Sequence, residues 1–237
     1  MQLINKKENQ IVFKAEIEES LVNAVRRYLY QIPILAIDEV EIFKNDSPLY
    51  DETIAHRMGL IPLKMDKVSK EGSLKLVSKK DGIVYSGEMQ GNVKPVYNKI
   101  PITSLSKGQE LEIVGDFKFG TGSQHAKFSP GLMIYRNVLE LKTDKSLYDK
   151  IKKILPNVEM KEKGDKIIII DDKIREISDV CSGIAEKDGK KIEEEIKKEM
   201  VISVESFGQL EPKDVFKRSI EELKRDLNEF SKKLEKD

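Results

Sequence analysis

Three residues near position 55 have the side chains that acid–base catalysis uses. Glu52, His56 and Arg57 offer an acid, a base and an anion-binding group. Positions 52 and 56 lie one helical turn apart, which allows a hydrogen bond between the carboxylate and the imidazole. Catalysis would also need a positioned nucleophile or a metal ion, and a pocket. The pattern therefore favours a pair that orients a short helix over a catalytic site.

A glycine-rich segment, Gly120-Thr-Gly-Ser-Gln-His125, has the composition of a phosphate-binding loop. In a nucleotide-binding loop of the Walker type, a lysine and a serine or threonine follow the glycines, and a helix begins there. This segment carries no such pair and leads instead to Lys127-Phe-Ser-Pro130. We interpret it as a glycine-rich turn and not as a phosphate-binding loop.

Charge and hydropathy restrict the class of protein. The chain has 237 residues, and its 42 basic side chains equal its 42 acidic ones. A protein that binds nucleic acid by itself usually has a net basic surface, so this balance argues against an autonomous nucleic-acid-binding module, which remains the alternative hypothesis. The longest apolar runs are too short to cross a bilayer, and the N-terminus has no signal-peptide pattern. We expect a cytoplasmic protein.

Alternating and helical spacings predict the elements that position these residues. Strands are predicted over 10–18, 34–43, 110–119, 166–170 and 200–206. Helices are predicted over 20–31, 51–58 and 216–234, the first with Ser20 as its N-cap. Residues 64–142 are β-rich, whereas 144–199 form a third lobe that includes a run of mixed charge.

The C-terminal segment has the longest regular apolar spacing in the chain. Its apolar residues recur every three or four positions, which predicts one seam along a helix of more than twenty residues. They are Phe216, Ile220, Leu223, Leu227, Phe230 and Leu234. Two interpretations are open: the seam closes the chain's own core, or its distal part packs against the helices of a partner in a bundle. A free coiled coil is disfavoured because only about three heptads are present.

Four separated motifs form a recognisable set. They are Asn23-Ala-Val-Arg-Arg-Tyr-Leu followed by Ile32-Pro-Ile-Leu-Ala-Ile-Asp38, the stretch over 51–63, the loop over 120–130, and Val204-Glu-Ser-Phe-Gly208 before the long helix. In this order they resemble the alpha-like, D-type subunit of archaeal RNA polymerase, and more distantly the eukaryotic homologues and bacterial alpha. The resemblance involves both chain ends and the middle of the chain.

The resemblance implies an α+β fold with a discontinuous dimerisation domain, a sheet plus two helices. We expect this domain over 1–44 and 200–237, a β-rich insert domain over 45–143, and a small ferredoxin-like lobe over 144–199. It implies a non-catalytic assembly subunit of RNA polymerase, a nucleotidyltransferase complex, that pairs with subunit L to form the assembly platform. Small subunits N and P and the second-largest catalytic subunit are further expected partners. DNA is expected to be contacted only through the complex.

The resemblance, together with the seam, also assigns contact residues. The expected helix interface with subunit L consists of Val25, Tyr28, Leu29, Phe216, Ile220, Leu223, Leu227 and Phe230. Contacts to other subunits are expected from Arg26, Arg27, Glu52, His56, Arg57, His125 and Lys127. Arginine suits such contacts because its guanidinium binds a carboxylate through two parallel hydrogen bonds.

The third lobe departs from part of the family. Some of these archaeal subunits hold an iron–sulfur cluster in this lobe, and a cluster normally takes four thiolates. Cys181 is the chain's one cysteine, which also excludes an intramolecular disulfide and an all-cysteine metal site. We therefore expect no iron–sulfur cluster, no metal and no other cofactor, and we expect Cys181 to be a small buried apolar residue.

Overall fold

The computed structural model describes residues 1–65, 70–173 and 176–235, and within them the chain is an α+β protein with mainly antiparallel sheets. The helices are α1 (Glu19–Tyr28), α2 (Asp51–Gly59), α3 (Tyr148–Ile154), α4 (Ser178–Lys187) and α5 (Pro212–Leu234). The strands are β1 (Gln2–Lys6), β2 (Gln10–Glu16), β3 (Ile34–Asn45), β4 (Gly72–Ser78), β5 (Gly82–Tyr85), β6 (Pro101–Leu105), β7 (Leu111–Gly120), β8 (Gly131–Asp144), β9 (Met160–Lys163), β10 (Lys166–Asp171) and β11 (Glu193–Ser206). None of these helices combines the length and apolar composition that a membrane crossing requires.

The first of two compact units consists of Met1–Asn23 and Met133–Val204. It contains a six-stranded sheet in the order β1-β2-β11-β8-β10-β9. Alternation along β10 buries Ile167 and Ile169, which pack with the apolar residues of α3 and α4, including Cys181. One side of this part of the sheet is therefore covered by two short helices.

A buried ion pair fixes the segment that leads into α4. Asp171 is fully buried, and its Oδ1 lies 2.7 Å from Nη2 of Arg136. Its Oδ2 accepts a hydrogen bond from the backbone N–H of Ile177 at 3.0 Å, and Arg136 also donates to the carbonyl of Lys173 at 2.6 Å. A buried carboxylate of this kind needs such partners because an isolated charge is costly away from water.

Charged side chains on β8 and β11 form a closed ring on the same sheet. Lys142 and Lys197 each pair with both Glu140 and Glu195, at N–O distances of 2.7–3.1 Å. Hydrogen bonds from the two lysines lower the pKa of Glu195 from its ordinary value to about 2, and they also lower the pKa of Glu140. The charged sequence before residue 200 is thus part of a strand.

The second unit consists of Ala24–Leu132 and Glu205–Asp237. It contains a three-stranded sheet in the order β3-β7-β4 and a hairpin of β5 and β6. Alternation along β7 buries Leu111, Ile113 and Phe117, and these pack against Ile54 and Met58 of α2. This core holds α2, and with it the 52–57 segment, against the sheet.

Several predicted boundaries differ from the observed ones. The first helix begins at Glu19, and the carbonyl of Glu18 accepts the N–H groups of Leu21 and Val22, so Ser20 lies inside the first turn and is not the N-cap. The domain boundaries predicted at 143/144 and 199/200 fall inside the continuous strands β8 and β11. Residues 144–199 share their sheet with β1 and β2. The division into three domains stays a prediction.

Candidate subunit interface

Helix α5 begins where its sequence favours a start. Pro212 occupies the first turn, where its missing N–H costs no hydrogen bond, and Asp214 follows at the positive end of the helix dipole. The residues that α5 buries within the chain are Pro212, Val215 and Ser219, and the helix packs on the 3-10 turn Leu29–Gln31. Only the N-terminal half of α5 is therefore anchored by the chain itself.

The predicted seam changes its environment along the helix. Phe216, Ile220 and Leu223 are half-buried beside the anchored face. Further along, the exposed fractions rise to 58% for Leu227, 61% for Phe230 and 62% for Leu234. Three large apolar side chains at helical spacing thus remain in water, which is typical of a surface that another chain covers.

A hydrogen bond from α1 contacts α5 near the start of its exposed half. The hydroxyl of Tyr28 donates to Oδ2 of Asp226 at 2.8 Å. This bond to a carboxylate raises the pKa of Tyr28 above its ordinary value. The bond joins the end of α1 to α5 one residue before Leu227, so it positions the exposed half of the helix.

Two residues of the predicted interface belong to the chain's own core. Val25 is 3% exposed and Leu29 is 0% exposed. Their burial leaves no surface for a partner, so the candidate interface is restricted to the seam of α5 and to Tyr28. Helical spacing identified the apolar face of α1 but not what covers it.

Helix α2 carries the three residues that the sequence offers as an acid, a base and an anion-binding group. Glu52 and His56 are both exposed, and within the described part of the chain no hydrogen bond joins them, so the bond that their spacing allows is not made. Nη2 of Arg57 donates to the carbonyl of Pro101 at 2.6 Å, which ties α2 to β6. On α1, Arg27 is exposed and Arg26 is half-buried.

The glycine-rich loop is built as a rigid turn. Gly122 lies so close to Tyr30 that an added Cβ would come within 2.9 Å of its ring, and the N–H of Ser123 donates to the carbonyl of Tyr30 at 3.1 Å. Within the loop, Nδ1 of His125 accepts the N–H of Lys127 at 3.2 Å, and the imidazole is exposed. The loop leads into the single 3-10 turn Ala126–Phe128 and not into an α-helix, and His125 caps the start of that turn.

Lys127 is bound to Asp38 by an ion pair and a hydrogen bond that the sequence did not indicate. Its Nζ lies 2.5 Å from Oδ1 of Asp38 and also donates to the Asp38 carbonyl at 3.2 Å. Lys118 pairs with the other carboxylate oxygen. Hydrogen bonds from Lys118 and Lys127 lower the pKa of Asp38. The lysine therefore fixes the loop to β3, whereas His125 is the side chain that the loop exposes.

Phe43 is an exposed apolar residue to which the sequence analysis assigns no role. Phe43 is 64% exposed and lies on the outer side of β3 with Glu39 and Glu41, so the alternation of that strand contained the signal.

No group of three or more potential metal ligands occurs among residues 1–65, 70–173 and 176–235. Cys181 is buried, and burial raises the pKa of its thiol to about 11, so it lies in the apolar core as a protonated side chain.

The chain thus combines an α+β fold of mainly antiparallel sheets with a C-terminal helix whose distal apolar side chains are exposed. The sequence pattern of the RNA polymerase Rpb3/Rpb11 dimerisation domain matches residues 13–227. This match covers most of the chain, which therefore belongs to the Rpb3/Rpb11 dimerisation-domain family.

Archaeal RNA polymerase subunits are similar over the full length of the chain. The DNA-directed RNA polymerase subunit Rpo3 of Pyrococcus horikoshii is 33% identical over 254 residues, covering 100% of this chain and 98% of the relative. The Rpo3 subunits of Pyrococcus furiosus and Thermococcus kodakarensis are 32% and 30% identical, and each alignment covers 97% of the relative and 100% or 99% of this chain. Because Rpo3 is the alpha-like, D-type subunit of the archaeal enzyme, the predicted resemblance is confirmed.

Proposed function

We propose that this chain is an assembly subunit of archaeal DNA-directed RNA polymerase, and that it pairs with subunit L through the exposed half of α5. Family membership and the Rpo3 relatives support the first part. The observation that supports the second is the exposure of Leu227, Phe230 and Leu234 on one side of a helix whose other end is anchored.

Burial of the exposed seam would contribute to the free energy of pairing. Full burial of a leucine or phenylalanine side chain is worth about 1.5–3 kcal/mol. Completing the burial of side chains that are about 60% exposed is then worth about 1–2 kcal/mol each, or about 3–6 kcal/mol for the three. Contacts from Phe216, Ile220 and Leu223, which are half-buried, add to this value.

The remaining assignments complete the proposal. Residues 1–44 and 200–237 form the dimerisation domain, 45–143 the insert domain, and 144–199 a ferredoxin-like lobe without an iron–sulfur cluster. Subunits N and P and the second-largest subunit bind elsewhere on the chain, with Arg27, Glu52, His56 and His125 as exposed contact residues. The chain itself supplies structure and not chemistry, and it works in the cytoplasm.

Co-expression with subunit L of the same organism tests the proposal. We expect the two chains to elute together in size-exclusion chromatography with the mass of a one-to-one complex by light scattering. A chain that elutes alone, at the mass of its monomer, in the presence of excess subunit L contradicts the proposal.

A further inference from the structure

The positions that border the exposed seam of α5 differ in charge on its two sides. When the seam residues take heptad positions a and d, positions e and g border it. The side toward Tyr28 has Ser219, Asp226 and Lys233, and the other side, which we call the free border, has Lys217, Lys224 and Ser231. The free border therefore contains two lysines and no carboxylate.

These lysines are weakly engaged by the chain itself. Nζ of Lys217 lies 3.9 Å from a carboxylate oxygen of Glu221, at the outer limit of an ion pair. Lys224 has no ion pair within the described ranges 1–65, 70–173 and 176–235. The helix dipole favours basic residues in the last turn, as at Lys232 and Lys233, but Lys224 lies about three turns before the end of α5. The helix dipole therefore does not account for Lys224.

We propose that the free border of α5 selects a partner helix whose apolar seam is bordered by carboxylates, with Lys217 and Lys224 as the residues that discriminate. The inference rests on the proposed function and specifies the chemistry of the partner at the same surface. Charged residues beside an apolar seam set partner choice and orientation, because opposite charges across the border attract and like charges repel.

A second copy of this chain does not supply those carboxylates. In an antiparallel pair of α5 helices the two e positions face each other, so the free border meets only Lys217, Lys224 and Ser231 of the other copy. In a parallel pair the e positions face g positions, which brings Ser219 to Lys224 and Asp226 to Ser231. In both arrangements the lysines of the free border remain without a carboxylate.

Charge reversal on the intact chain tests the inference. The variant carries Lys217→Glu and Lys224→Glu, and the matched control carries Arg218→Glu and Lys232→Glu on the opposite side of α5, with the same change in net charge. Affinity for recombinant subunit L is measured by calorimetry at low and high salt, and circular dichroism verifies that both variants keep the helix.

We expect the border variant to bind about 3- to 30-fold more weakly than the control at low salt, since two attractive pairs become repulsive. The difference should disappear at about 1 M salt, where the screening length falls to about 3 Å. Equal affinities of variant and control, or tighter binding by the variant, would overturn the inference while the pairing itself stands. Failure of subunit L to bind even the unaltered chain would instead overturn the proposed function.

Light scattering of the same protein samples tests whether the chain associates with itself. Light scattering of the free, unaltered chain should show a monomer at the concentrations at which subunit L binds. A stable dimer of the free chain that the border variant preserves would overturn the inference, because the seam would then be covered without any carboxylate border.

Discussion

Replacement of Leu227 tests whether this side chain faces a partner or belongs to the chain's own core. Leu227 is 58% exposed, so Leu227→Ala removes little burial from the free chain, and we expect its free energy of unfolding to change by no more than about 0.5 kcal/mol. In the complex the same change removes the burial that the partner completes. About 60% of the 1.5–3 kcal/mol for a fully buried leucine gives about 1–2 kcal/mol. This loss raises the dissociation constant by roughly 5- to 30-fold.

Leu227→Asp should have a larger effect on binding than Leu227→Ala and still leave the free chain folded. A carboxylate placed in an apolar interface without a partner costs several kcal/mol more, on the order of 2–7 kcal/mol for an uncompensated polar group, so pairing at micromolar concentrations should be abolished. The free chain should keep its helix, because the side chain then lies in water. Ile154→Asp is the matched control, since Ile154 is 57% exposed and lies on α3, outside the residues proposed for the dimerisation domain.

Titration of each variant with subunit L by calorimetry gives the dissociation constants, and circular dichroism during urea unfolding gives the stabilities. The reasoning is refuted if Leu227→Asp binds subunit L as the unaltered chain does, or if the Ile154 control loses affinity equally. It is also refuted if Leu227→Ala lowers the free energy of unfolding of the free chain by more than it weakens the free energy of binding to subunit L. Leu227 would then be a core residue.

Three further predictions concern the six-stranded sheet and its helices. Arg136→Met leaves the buried Asp171 without its ion pair and should lower the free energy of unfolding by about 3–5 kcal/mol in urea titrations monitored by circular dichroism; a loss below about 1 kcal/mol contradicts the buried pair. The pKa of Glu195 is about 2 in the folded chain and higher when unfolded, so the ion ring contributes stability above about pH 4.5 and loses it as the pH falls toward 2. Glu195→Gln should therefore flatten the acid branch of the stability–pH curve, and an unchanged acid branch argues against the ring. Cys181 should resist alkylation by iodoacetamide at neutral pH and react only on unfolding, because burial raises its pKa to about 11; rapid labelling of the folded chain, followed by mass spectrometry, would show an accessible thiol instead.

The regular elements could be predicted because their signals are local. Alternation places β2, β3 and β7 within a few residues of the predicted strands, and the apolar spacing of 216–234 predicts α5. What the spacing could not reveal is which part of the seam the chain covers for itself. That depends on Val215 and Ser219 packing against a turn almost two hundred residues earlier, which is a tertiary event.

Long-range polar pairs explain most of the remaining differences. Lys127 and Asp38 are separated by 89 residues, so nothing in the loop sequence indicated that the lysine fixes the loop instead of facing a subunit. The sequence predicts a strand only from residue 200, yet Glu195 and Lys197 in the charged run before it pair across strands with Lys142 and Glu140. Charge pairing across a sheet permits a strand there, and a single sequence does not show it.

Amide hydrogen exchange of the C-terminal half of α5 tests most directly whether a second polypeptide completes this chain. In the free chain, residues 224–235 should exchange quickly, since little tertiary packing holds them. In the purified complex with subunit L they should become strongly protected, while 212–219 change little because the chain already buries them. A stable complex in which exchange of 224–235 is as fast as in the free chain would contradict the account.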